Sequence, residues 1–139
     1  MAGYSGTPLP TKLGMKDGHR VAVVGAPDDF EETLGALPAV AMQAGLAGSA
    51  PLDVVVLFVR KRAELEKRLP QVRKRMADDA GFWVAWPKKA SGVATDMTED
   101  VVRAVALPTG LVDNKVCAID ETWSGLRLVI RLTERAKKK

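Results

Sequence analysis

A single cysteine, a single histidine and a single tyrosine stand among the 139 residues. Lone Cys117 excludes an internal disulfide and a thiolate zinc site. His19 precedes the first strand-like segment, on the amino side of any sheet, which argues against a Ser-His-Asp or Cys-His arrangement. Cys117, between Val116 and Ala118, reads as a buried and inert strand residue. Long apolar runs are also missing. The most apolar ones, Val54–Val59 and Phe82–Pro87, span six residues each, against the roughly 18 of a membrane span. The first residues carry neither a basic n-region nor an apolar h-region. The expectation is a soluble cytoplasmic chain with no membrane partner.

What is present suits one packed domain. Apolar residues make up 47% and charged residues 27%, the balance of a globular chain with an ordinary surface. The charge is uneven. Residues 60–75 carry eight basic side chains against Glu64 and Glu66, a net of +6, and residues 134–139 add +3, which leaves −5 on the rest. Such asymmetry fits an acidic partner or a solvated helix face and tail.

Hydrophobic period and turn residues divide the chain. Residues 1–19 read as an N-terminal arm that packs on the body through Leu9, Leu13 and Met15. Residues 20–133 read as the domain, and 134–139 as a disordered basic tail. Arg20-Val-Ala-Val-Val-Gly is a strand buried on both faces. Pro27 and Asp28 open a helix with Phe30 and Leu34 on one side and Gly35 at its end. Pro38–Gln43 is a weak second strand. Asp53–Val59 is the strongest strand. Leu65, Leu69, Val72 and Met76 form the apolar stripe of a basic helix that Pro70 should kink or split. Asp79-Ala-Gly reads as a turn and Phe82–Pro87 as a strand. Asp96 and Glu99 read as a capping pair for a helix carrying Val101, Val102 and Val105. Asp113 and Asn114 read as a turn. Lys115–Asp120 and Leu126–Leu132 form a closing hairpin, with Gly125 at a positive φ. Strand–helix alternation implies right-handed crossovers. The fold class is α/β: a single Rossmann-like domain with a mostly parallel sheet of about five to six strands. Its last strand is antiparallel and helices cover both faces.

That order resembles the methyltransferase variant of the Rossmann fold, with the local likeness in Asp53–Val59, Leu65–Met76, Gly81 and Phe82–Trp86. More narrowly, four phrases resemble a family of short bacterial proteins, a domain of unknown function. They are Gly3-Tyr-Ser-Gly-Thr-Pro-Leu-Pro, Val84-Ala-Trp-Pro-Lys-Lys-Ala-Ser-Gly, Leu111-Val-Asp-Asn-Lys-Val-Cys and Asp120-Glu-Thr-Trp-Ser-Gly-Leu-Arg. The methyltransferase resemblance implies S-adenosylmethionine, held by a glycine-rich first loop and by an acidic residue at the end of the second strand. This chain departs from that pattern. Its first loop, Gly25-Ala-Pro-Asp-Asp, has one glycine, and no acid closes the second strand. The dinucleotide fingerprint Gly-x-Gly-x-x-Gly is missing too. No cofactor is predicted, and S-adenosylmethionine is kept as a lower-ranked alternative.

Ligands of open α/β sheets sit at the carboxyl ends of the strands. Gly25, Lys88, Lys89, Ser91, Gly92, Asp120, Glu121, Trp123 and Ser124 should gather there, with the two lysines and a following helix N-terminus as an anion site and Trp123 as an exposed stacking platform. The competing reading has Lys88 and Lys89 pair with Asp120 and Glu121 and simply pin the hairpin. Asp28 and Asp29 complement a helix dipole in preference to holding a metal, and no metal site is predicted. The leading function is a binding domain for a small anionic ligand or nucleotide. The alternative is a protein-interaction or regulatory domain that has lost a methyltransferase-type cofactor site. An enzyme using Asp28, Lys88 or Asp120 ranks lower, since no catalytic constellation is complete. Nucleic-acid binding through residues 60–75 ranks last, because no aromatics interleave with that charge.

Overall fold

The computed structural model describes residues 7–134. The expected basic tail beyond 134, and the part of the arm that precedes Thr7, lie outside the described residues. Six strands form one sheet: β1 Arg20–Val24, β2 Ala41–Ala44, β3 Leu52–Phe58, β4 Met76–Pro87, β5 Leu111–Ala118 and β6 Trp123–Ile130. Their spatial order is β2-β1-β3-β4-β6-β5. The pairs β1–β2, β1–β3 and β3–β4 are parallel, whereas β6 is antiparallel to both β4 and β5. A short hairpin between β5 and β6 can only join antiparallel neighbours, so β6 is the reversed strand and β5 runs with the first four.

Among the described residues four α-helices accompany the sheet: α1 Leu9–Lys12, α2 Phe30–Leu34, α3 Arg62–Arg75 and α4 Glu99–Ala106. Side chains alternate across a strand, and β3 shows the consequence. Val55, Leu57 and Val59 pack with Leu65, Leu69 and Val72 of α3 and with Val102 and Ala106 of α4. Val54, Val56 and Phe58 pack on the opposite face with Leu13, Met15, Phe30 and Leu34. The Val-rich run is therefore apolar throughout because both faces are covered. Trp83 and Trp86 divide in the same way, one to each face. The Trp83 indole donates to the Leu13 carbonyl at 2.9 Å, which fastens the segment after α1 to the sheet.

Several local expectations are corrected. β4 starts at Met76, directly after α3, and the Asp79-Ala-Gly segment lies inside it. Leu52 faces Met76 while Val54 faces Gly81, so residues 77–80 bulge out of register. α3 is one helix through Pro70. The residue capping α4 is Thr98, whose hydroxyl accepts from Val101 N at 3.1 Å. Asp96 instead accepts from Arg62 N at 2.7 Å, at the start of α3. Asp113 and Asn114 lie within β5 at a register shift, and Asp113 accepts from Arg103 Nε at 3.1 Å. Gly125 is a strand residue between Ala85 and Cys117. It is needed for space, since a Cβ there would meet Trp83 Cε3 at 3.1 Å.

Candidate functional site

The sheet order creates one switch point at its carboxyl edge. From β1 the chain crosses to β2 on one side, and from β3 it crosses to β4 on the other. The loops after β1 and β3 therefore diverge, and a crevice opens between them. Here that crevice is an open cleft of about 520 Å³. Gly25, Ala26, Pro27 and Asp28 line it from the loop after β1, Phe58, Arg60 and Glu64 from the end of β3 and the start of α3, and Trp123 from the start of β6.

Gly25 makes the crevice possible. Its φ is +73°, and a Cβ at that position would stand 3.0 Å from the Phe58 carbonyl oxygen. Only glycine takes both the turn and the approach without strain. One wall is aromatic. Phe58 meets Phe30 and Trp123 edge to face, at centroid distances of 4.9 and 5.0 Å. The Trp123 ring is 7% exposed, so it is a packed wall and not the exposed platform expected from the sequence. The strand β6 begins at Trp123, three residues before the Leu126 start that a Gly125 turn implies, and this draws Trp123 into the core. Its indole N–H has no acceptor among the described residues. It is also not among the buried polar atoms lacking a partner, so it reaches solvent.

The charges of the cleft differ in how they are used. Glu64 Oε1 accepts from Arg60 N at 2.9 Å and Lys61 N at 3.3 Å, a helix-start role. The Arg60 carbonyl accepts from the Thr95 hydroxyl and from Asp96 N. Both ends of the Arg60 backbone are thus fixed, while its guanidinium has no ion pair or hydrogen bond among the described residues. Asp28 is likewise exposed and unpaired there.

Of the residues expected at the site, the cleft brings together Gly25 and Trp123. Lys88, Lys89, Ser91, Gly92, Asp120, Glu121 and Ser124 are at the same carboxyl edge but do not line it. Lys88 Nζ donates to the Asp120 carbonyl oxygen at 2.8 Å, and Lys88 N to the Thr122 carbonyl at 2.7 Å. Asp120 Oδ1 accepts from the backbone N–H of Thr122 and Trp123, both at 2.8 Å. Lys88 therefore pins the hairpin, through a carbonyl and not through the carboxylates of Asp120 and Glu121. The Ser91 hydroxyl donates to the Lys88 carbonyl and accepts from Val93 N, closing a tight turn with Gly92 at φ +79°. Lys89 and Gly92 are exposed, as is Glu121, and Ser124 is a half-buried strand residue facing Trp86. Seven residues separate Ser91 from α4, so the expected helix N-terminus is not beside the lysines.

Phe58, Arg60 and Glu64 were not singled out from sequence. The sign that points to them is topological: a strand flanked by crossovers in opposite directions, ending in an arginine. Elsewhere, burial pushes the Cys117 thiol up from its ordinary range. Hydrogen bonds to Glu99 and Asp113 raise Arg103, away from the cleft. Arg75, counted by sequence among surface cations, is buried, and its guanidinium donates four bonds to the carbonyls of Leu46, Ala47 and Ala50. Among the described residues no group of three or more His, Cys, Asp or Glu could hold a metal ion, and no helix is long and apolar enough to cross a membrane.

Residues 10–132 match the family described as Protein of unknown function (DUF3052). The chain belongs to this family. No curated protein matches it by sequence. Solved structures share its fold. A SAM dependent methyltransferase from Aquifex aeolicus aligns with a TM-score of 0.58 at 12% identity, over 86% of this chain and 87% of that one. Magnesium protoporphyrin IX methyltransferase from Synechocystis, with bound SAH, aligns with 0.56 at 12% identity, over 82% and 74%. The fibrillarin pre-rRNA processing protein of Methanococcus jannaschii aligns with 0.59 at 10% identity, over 90% and 69%. This DUF3052 chain therefore has a methyltransferase-like fold.

Proposed function

We propose that this DUF3052 protein is a small-ligand-binding domain whose site is the cleft between the loop after β1 and the end of β3. The ligand is a small anion or a nucleotide-sized molecule with an anionic group. The Arg60 guanidinium is its ionic partner and the Phe58–Trp123 wall its apolar contact. The observation that carries this reading is a guanidinium with a fixed backbone and no partner among the described residues, standing in a cleft of about 520 Å³ at the switch point. Clefts at a switch point are where α/β domains hold small molecules, and this one sets charged side chains, Arg60 among them, beside an aromatic wall. An arginine recognises carboxylate or phosphate through two parallel N–H bonds.

The test is a thermal-shift screen of the purified chain against nucleotides, dinucleotides, phosphosugars and acyl-coenzyme A. A ligand at 100 times its Kd adds about 2.7 kcal/mol, which raises Tm by several degrees. The expected result is an anionic hit that Arg60→Ala abolishes without lowering the ligand-free Tm. A hit unaffected by that change would place the site elsewhere, and a blank screen would count against a ligand-binding domain.

A further inference from the structure

The methyltransferase-like fold implies S-adenosylmethionine, and the groups at the carboxyl edge can be matched against what that molecule presents: a ribose diol, an adenine and an amino-acid end. The diol needs a carboxylate at the end of β2. No acidic residue occurs from Ala41 to Pro51. The polar side chain that β2 offers is Gln43, a neutral amide whose Nε2 donates to the carbonyls of Gly45 and Ala47, at 2.9 Å each, and so holds the side chain against the loop. The next acid, Asp53, accepts from Arg20 N at 2.9 Å, at the amino edge of the sheet. The segment after β2 is no more open. It forms no helix, and Arg75 clamps it from below through Leu46, Ala47 and Ala50. The loop after β1 has one glycine, and Pro27 has no N–H to offer. The helix that follows, α2, has five residues.

We infer that this chain keeps the methyltransferase-like fold without its cofactor site and does not bind S-adenosylmethionine. The ribose end of such a site is filled by the Gln43 and Arg75 hydrogen bonds of the 45–51 loop, and the open cleft lies on the β3 side. The inference rests on the groups around β2 and on the loop after β1 and does not depend on Arg60, so it can fail or stand apart from the anion reading.

The test is isothermal titration of the full chain with S-adenosylmethionine and with S-adenosylhomocysteine. Near-UV circular dichroism of its three tryptophans confirms that the protein is folded. The expected result is no saturable binding of either compound up to concentrations on the order of 1 mM. Saturable one-site binding at or below about 100 μM, with the dichroism of a folded protein, would overturn it. The anion reading is tested separately by Arg60→Ala, so either idea can fail alone.

Discussion

Phe58 and Trp123 meet edge to face with their ring centroids 5.0 Å apart, although they come from β3 and β6, which are not neighbours in the sheet. Phe58 makes a second such contact with Phe30 at 4.9 Å. The ring thus joins three parts of the chain beneath the cleft. Each pair is worth about 0.5–1.5 kcal/mol beyond the area it buries. Phe58→Leu keeps an apolar side chain and removes both contacts. A loss of about 1–3 kcal/mol is expected in urea denaturation. A loss below about 0.5 kcal/mol would show that the rings do not act together.

Lys88 and Lys89, adjacent and of one charge, should behave differently. Lys88 Nζ donates to the Asp120 carbonyl at 2.8 Å, whereas the Lys89 side chain makes no such bond among the described residues and is exposed. Lys88→Ala is expected to cost about 1.5–3 kcal/mol, as for a hydrogen bond from a charged group. Lys89→Ala should stay within about 0.5 kcal/mol of wild type. Equal effects would contradict the pinning role of Lys88.

Arg75 is a structural arginine inside a basic helix. Its four bonds end on three carbonyls of one loop. Lysine keeps the charge but lacks the planar fork, so Arg75→Lys is expected to lose about 2–3 kcal/mol. Amide hydrogen exchange should quicken in residues 46–52 before any other segment. Unchanged protection there would contradict the clamp.

Cys117 is 8% exposed, and burial holds its thiol above the ordinary range. The neutral thiol is the form the fold favours. Its contribution is fully present below the unfolded thiol's pKa and is lost as pH rises through the higher folded value. Thiolate is the reactive species. Ellman's reagent should therefore react with the native protein far more slowly than with the unfolded chain at pH 8. Equal rates would show an accessible thiol.

The sheet was legible in the sequence wherever burial on both faces made a strand uniformly apolar, as in Val54–Val59 and Phe82–Trp86. It was less so where polar residues sit inside a strand. Asp78 and Asp79 mark a bulge in β4, not its beginning. Asp113 is satisfied by Arg103, an arginine on a different element. Gly125 is required by the Trp83 ring next to it, a contact that local turn rules do not contain. The carboxyl edge could be located from strand order, but which loops part there could not. Opposite crossovers from β1 and β3 depend on the weak strand β2 lying outside β1. That placement moves the crevice from the lysine loop to Arg60. Arg60 in turn looked like one more cation of a solvated helix, as did Arg75, which proved to be buried.

The ligand reading is tested most directly by following the three indole N–H resonances and the Arg60 side chain by NMR while inorganic phosphate is added. The Trp123 indole N–H lacks an acceptor among the described residues and belongs to the cleft wall, whereas the Trp83 N–H is bonded to the Leu13 carbonyl at 2.9 Å. Saturable shifts of Arg60 and Trp123 are expected, with Trp83 unmoved and the Trp123 shift absent in Arg60→Ala. Shifts confined to Lys88, Lys89 and the hairpin, or no saturable shift at all, would contradict a cleft built around Arg60.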